Sequence, residues 1–148
     1  MPQLPPIRLV NARVLMDGDF RDHPLSVRDG RVEGDGGREV DLSGYLLLPG
    51  IIDLHGDGFE RHLSPRPTAP FDKVRGLASV AGELAANGIT TAWLAQSWSW
   101  EGGFRSGEAA TALLTALDRA RGQLLADVRV QLRLETHFID QHPAVLKA

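Results

Sequence analysis

The chain has 148 residues, 43% of them hydrophobic, and a net charge of −3. Its 16 Lys and Arg residues are set singly, so no basic block is present to follow a nucleic-acid backbone or an anionic bilayer. It has no cysteine, which excludes disulfides, thiolate metal sites and cysteine nucleophiles and leaves any metal to His, Asp and Glu.

A chain of this length suits one domain, and no stretch reaches the apolar length of a membrane span. Residues 1–8 are Pro-rich rather than a signal-peptide leader, so a soluble, cytoplasmic protein is expected, without nucleic-acid or membrane partners.

In chain order, Ile7 to Met16 is rich in β-formers until Asp17-Gly18-Asp19 breaks it. Ser26-Val27-Arg28 and Arg31-Val32-Glu33 flank Asp29-Gly30, the two-residue signal for a type I′ hairpin. After a turn-rich Gly34 to Gly37, a short strand is expected around Glu39 to Leu42. These pieces predict a small antiparallel β unit over residues 1–48.

The pattern then changes. Tyr45 to Leu54 is almost continuously apolar around Pro49-Gly50, the mark of a strand buried on both faces in a parallel sheet. A polar loop from Gly56 to Pro70 follows. Asp72 then caps a helix whose expected apolar face is Val74, Leu77, Ala78, Ala81, Leu84 and Ala85, closed by Asn87-Gly88. Ile89 to Ala95 is the next strand. Ser106 opens a second helix with Ala109, Ala112, Leu113, Ala116, Leu117, Ala120 and Leu124 inward, and Val128 to Leu134 alternates as a third strand. A β-loop-α-β-α-β order opens an α/β fold with parallel strands over residues 49–148.

The string Leu48-Pro49-Gly50-Ile51-Ile52-Asp53-Leu54-His55-Gly56-Asp57 sets His55 and Asp57 two residues apart at the end of a strand. Period-2 geometry directs both side chains to one face, where an imidazole and a carboxylate suit Zn²⁺, Mn²⁺ or Fe²⁺. Gly56 between them leaves room for a metal or phosphate to approach the backbone. By itself the pair suits a loop histidine capped by a carboxylate better than a metal site.

The turn phrase Val27 to Val32, the strand Leu48 to His55 and the run Glu60-Arg61-His62-Leu63-Ser64-Pro65-Arg66-Pro67 together resemble the start of amidohydrolase-superfamily enzymes. Among these the run is similar to the branch that removes diphosphate from ribose 1-methylphosphonate 5-triphosphate in carbon–phosphorus lyase phosphonate metabolism. Asp57 stands where the second His of the superfamily's usual His-x-His pair is found. Gly88-Ile89-Thr90-Thr91 and Arg133-Leu134-Glu135 fit the second and third strands.

The resemblance implies a small N-terminal β-sandwich segment followed by the first three β/α units of an incomplete TIM-like (β/α)8 barrel. It implies metal-dependent hydrolysis with His55, Asp57 and Glu135 as metal ligands, the metal being Zn or else Mn or Fe. His62 and Arg66 would bind substrate phosphate, Arg66 by a bidentate contact. Glu135 at a strand end, Arg66 between prolines and a loop His62 also have plain structural readings. Trp93, Trp98 and Trp100 suit packing or a lid better than a substrate platform. His23 reads as surface, and His137 and His142 receive no role.

A barrel takes roughly 250 residues, so the expectation is an N-terminal piece of the hydrolase with an incomplete ligand set and no confidently placed catalytic residue. Such a piece would be inactive alone and would associate, as a homo-oligomer or with a C-terminal part, through its open strand edge. The competing readings are another amidohydrolase (an N-acetylglucosamine-6-phosphate deacetylase-like enzyme or a cyclic amidase) and a non-catalytic oligomerising module.

Overall fold

The computed structural model describes residues 5–66 and 69–148. Pro67, which ends the Ser-Pro-Arg-Pro run, lies outside them. The chain divides into two compact units, Met1–Pro49 and Gly50–Ala148.

Among its described residues, the first unit forms two β-sheets. Strands β1 (Ile7–Val10), β4 (Leu25–Arg28), β5 (Arg31–Val32) and β6 (Arg38–Asp41) form one, in the order β5-β4-β1-β6. Strands β2 (Arg13–Met16), β3 (Asp19–Asp22) and β7 (Leu46–Leu47) form the other, in the order β3-β2-β7. The β-rich stretch from Ile7 to Met16 forms two strands, β1 and β2. Asn11 adopts φ 63, which ends β1 and sends β2 into the second sheet. The expected antiparallel unit is also mixed, because β6 pairs with β1 and β7 with β2 in parallel.

The Asp29-Gly30 hairpin forms as its sequence predicts. Both residues have positive φ, 51 and 74, and Arg28 faces Arg31 across the turn. Asp17-Gly18 repeats the device, φ 51 and 88, joining β2 to a strand that the sequence did not announce.

The second unit is a parallel sheet of β8 (Ile51–Gly56), β9 (Ile89–Trp98) and β10 (Asp127–Leu134), ordered β10-β9-β8. The crossovers carry helices α1 (Glu60–Leu63), α2 (Lys73–Ala86) and α3 (Gly107–Ala120), and α4 (His142–Val145) follows β10. Two caps start the long helices: Asp72 accepts from the Arg75 N–H and Ser106 from the Ala109 N–H.

The core lies between the helices and one face of the sheet. It joins Leu77, Val80 and Ala81 of α2, Leu113, Ala116, Leu117 and Ala120 of α3, Leu94 of β9, Val128 of β10, and Phe59 and Leu63 at α1. Two expected inward sets need correction. Ala78, Ala85 and Ala112 are exposed, while Val80 and Ala110 are buried. Leu124 falls beyond α3, after a single 3-10 turn. An alanine-rich helix offers several small apolar positions, and the neighbour it meets selects among them.

Strand β8 departs further from expectation. Its apolar run predicts burial on both faces, yet Ile51, Ile52 and Leu54 are 55%, 60% and 68% exposed. Among the described residues, β8 is an edge strand that pairs with β9 alone. An apolar run records a capacity for burial, and burial itself needs neighbours on each face.

Candidate active site

The sheet's other face carries the polar chemistry. On β10, Arg129, Gln131 and Arg133 are exposed and alternate with Val128, Val130, Leu132 and Leu134, which are buried or half-buried. Register makes Trp93, Ala95 and Ser97 of β9 their neighbours on that face. The Arg129 guanidinium lies over the Trp93 ring, 4.7 Å from its centroid. Nearer the C-terminal ends, the β9 residues on this face are small. Side chains from β8 and β10 therefore meet across them.

His55 and Asp57 stand at that end of β8, with His55 Nε2 3.7 Å from Asp57 Oδ1. The structure thus brings the expected pair together. A bulge in the β8–β9 ladder between Asp53 and Gly56 re-aims the strand end. Within it the His55 backbone N–H donates to Asp53 Oδ1 at 3.0 Å. Space at Gly56 is taken by this same carboxylate, since a Cβ there would come 2.9 Å from Asp53 Oδ2. The glycine admits Asp53 rather than the metal or phosphate that the sequence suggested.

Strand β10 supplies the next contacts. His55 Nδ1 is 2.9 Å from Gln131 Oε1, and Arg133 Nη1 is 3.5 Å from Asp57 Oδ1. Glu135 is not brought to the His55–Asp57 pair. Its Oε1 accepts from the Ser99 hydroxyl at 2.7 Å, while its Oε2 is buried without a hydrogen-bond partner among the described residues. Glu135 instead lines a cavity of about 260 Å³ with Ser97, Ser99, Glu101, Arg105 and Arg133. There the Arg105 pKa is raised by its hydrogen bond to Glu101, then by the charges of Glu101, Glu60 and Asp57.

Among the described residues, no three His, Asp or Glu side chains form a group that could hold a metal ion. His55 and Asp57 do fit one side of a divalent cation. Their nitrogen and oxygen donors converge, and the donor set matches borderline metals.

The two expected phosphate ligands lie elsewhere. His62, on α1, places Nε2 2.6 Å from Glu83 Oε2 of α2, and the Arg61 guanidinium holds the other oxygen of that carboxylate. Both line a cavity of about 350 Å³ between β8, α1 and α2, with Asp53, Glu83, Val80 and Leu84. Arg66 is in an exposed loop, where its carbonyl accepts from the Ser64 hydroxyl and the Ala69 N–H. The structure brings neither residue to Asp57. Of the tryptophans, Trp98 is buried, Trp93 is half-buried and Trp100 is 67% exposed. Sequence reading missed Gln131 as a partner of His55. The available signal was period 2 along β10, which puts Gln131, Arg133 and Glu135 on one face.

This architecture recurs in solved structures. A D-hydantoinase superposes with a TM-score of 0.61 and 20% identity, covering 96% of this chain and 31% of that one. The dihydropyrimidinase from Brevibacillus agri NCHU1002 gives 0.57 and 18%, covering 95% of this chain and 30% of its own. By sequence, the alpha-D-ribose 1-methylphosphonate 5-triphosphate diphosphatase of Escherichia coli (strain K12) is 27% identical over 87 residues. The chain resembles the amidohydrolase superfamily. No family model matches the chain. The diphosphatase match spans 55% of this chain and 23% of the relative, so the likeness is to part of an amidohydrolase. The mixed α/β architecture is shared with these amidohydrolase structures, in the portion that this chain covers.

Proposed function

We propose that the chain provides the first metal-binding strand end of a hydrolase that removes diphosphate from a ribose methylphosphonate triphosphate. The observation that carries this reading is the convergence of His55 Nε2 and Asp57 Oδ1 at 3.7 Å, at the end of a parallel strand. The partial likeness to the diphosphatase supports the substrate class. His55 and Asp57 would hold a divalent cation, Zn²⁺ or else Mn²⁺ or Fe²⁺, with Glu135 joining after leaving Ser99. Such a cation supplies Lewis-acid charge and water activation for attack at phosphorus. Arg66 and His62 are the proposed contacts to substrate phosphate, through charge-assisted hydrogen bonds.

In this reading β8, β9 and β10 are the opening strands of a (β/α)8 barrel, and the protein acts in the cytoplasm. The ligand pair alone does not complete a hydrolytic site, so the 148-residue chain by itself is inactive. Among the described residues, β8 and β10 each pair on one side only. These open edges support association with a second copy or a further polypeptide segment.

Calorimetric titration with Zn²⁺ or Mn²⁺ tests the metal reading. Binding should weaken at least about tenfold in His55→Ala and in Asp57→Ala. A chain that binds neither ion, or whose binding survives both substitutions, removes the reading. Metal-dependent release of diphosphate by the isolated chain would show that it is active alone.

A further inference from the structure

As a metal ligand, His55 must hold one tautomer. A neutral imidazole carries one proton, and only its bare nitrogen can bind a cation. The ring must present Nε2, the nitrogen facing Asp57. Some neighbour must therefore keep the proton on Nδ1.

We propose that Gln131 is a positioning residue that fixes His55 in its Nδ1–H tautomer and holds its ring toward Asp57. This inference rests on the metal reading for its purpose, although not for its geometry. Gln131 Oε1 is 2.9 Å from His55 Nδ1. An amide oxygen only accepts, so the Nδ1 that meets it is the donor. The Asp57 carboxylate, at 3.7 Å, is beyond hydrogen-bond range of Nε2 and does not claim the proton there.

The fold explains why the contact spans two strands. Gln131 is on β10, His55 on β8, and β9 runs between them. The β9 residue in register with Gln131 is Ala95. Registered residues of adjacent parallel strands share a face, and a single methyl group at Ala95 leaves the gap open. One register step away, Trp93 fills the same face and takes Arg129 over its ring. His55 and Gln131 meet where the middle strand is low.

A neutral amide suits this task. It orients the imidazole without adding charge beside Asp57, whereas a carboxylate there would hold the same tautomer and make the site more negative. Hydrogen-bonded partners of ligating histidines commonly act this way, and losing one costs about 10–100-fold in metal affinity.

The test is ¹⁵N-resolved NMR of the His55 ring in the metal-free chain, assigned with His55→Gln, together with calorimetric Zn²⁺ titration. The wild-type chain should show the Nδ1–H tautomer. Gln131→Leu should move it toward Nε2–H and weaken Zn²⁺ binding about tenfold. Gln131→Glu should keep Nδ1–H, because a carboxylate also accepts. A wild-type ring in the Nε2–H form, or one unchanged by Gln131→Leu, overturns the assignment. If Gln131→Leu moves the tautomer while the wild-type chain binds no Zn²⁺, Gln131 positions the ring as inferred and the metal reading is what fails.

Discussion

Arg133 Nη1 lies 3.5 Å from Asp57 Oδ1, so this carboxylate faces a guanidinium from β10. The two side chains are 51% and 65% exposed, and a pair this open is worth at most about 1 kcal/mol. If Asp57 takes the proposed metal-binding role, Arg133 competes with the cation for it and repels it. Arg133→Met should raise Zn²⁺ or Mn²⁺ affinity by up to about fivefold in calorimetry at low salt. Unchanged or weaker binding would mean that Arg133 does not oppose the cation.

Gly76 holds α1 against α2. A Cβ there would meet the Leu63 side chain and come 2.9 Å from the His62 carbonyl oxygen. Gly76→Ala should cost about 1–3 kcal/mol in urea denaturation, through overpacking at the helix contact. It should also shift the His62 ring signals, because α1 must move away from Glu83. Wild-type stability in this variant would show that the contact is slack.

Leu77, one position on, tests the core without the interhelical ion pair. Its side chain is fully buried among α3 and sheet residues. Leu77→Ala should destabilise the second unit by about 2–5 kcal/mol, from lost burial and the cavity left behind. The His62–Glu83 pair should persist in the folded fraction, read by the same His62 signals. A cost under about 1 kcal/mol would indicate that the helices collapse to fill the space.

Asp41 gives the first unit an acid-sensitive contact. The Ser43 hydroxyl, the Asn11 side-chain amide and the Ser43 backbone N–H all donate to its Oδ1, and they hold its pKa below the ordinary 3.8. A pKa depressed by folding adds stability above the unfolded value, and that stability is lost as pH falls through the folded value. The contribution is therefore complete above about pH 4 and disappears in stronger acid. Ser43→Ala should move the Asp41 pKa upward in a carboxyl ¹³C titration, and Asp41→Asn should flatten this part of the acid transition. An unmoved Asp41 in Ser43→Ala would contradict the stated cause.

The sequence by itself determined the local features. Asp29-Gly30 specified its turn because two adjacent positive φ angles suit those residues and few others. Asp72 and Ser106 marked helix starts because their side chains meet N–H groups three residues on. Alternation along Val128 to Leu134 showed which residues face the helices, and the His-x-Asp spacing kept His55 and Asp57 close in the chain. Each of these signals acts within a few residues of chain.

Tertiary structure decided what depends on distant neighbours. The Tyr45 to Leu54 run looked doubly buried, but β8 became an exposed edge because burial is set by what packs on a strand. Glu135 has the right chemistry for a metal, yet the register of β10 on β9 and the loop after β9 gave it to Ser99. His55 with Gln131 and Asp57 with Arg133 are both pairs 76 residues apart in sequence. A local period sets which face Gln131 and Arg133 take, but not which distant strand they meet. They exist because a parallel sheet aligns β8 and β10 across a middle strand whose side chains, at Ala95 and Ser97, are small enough to let them meet.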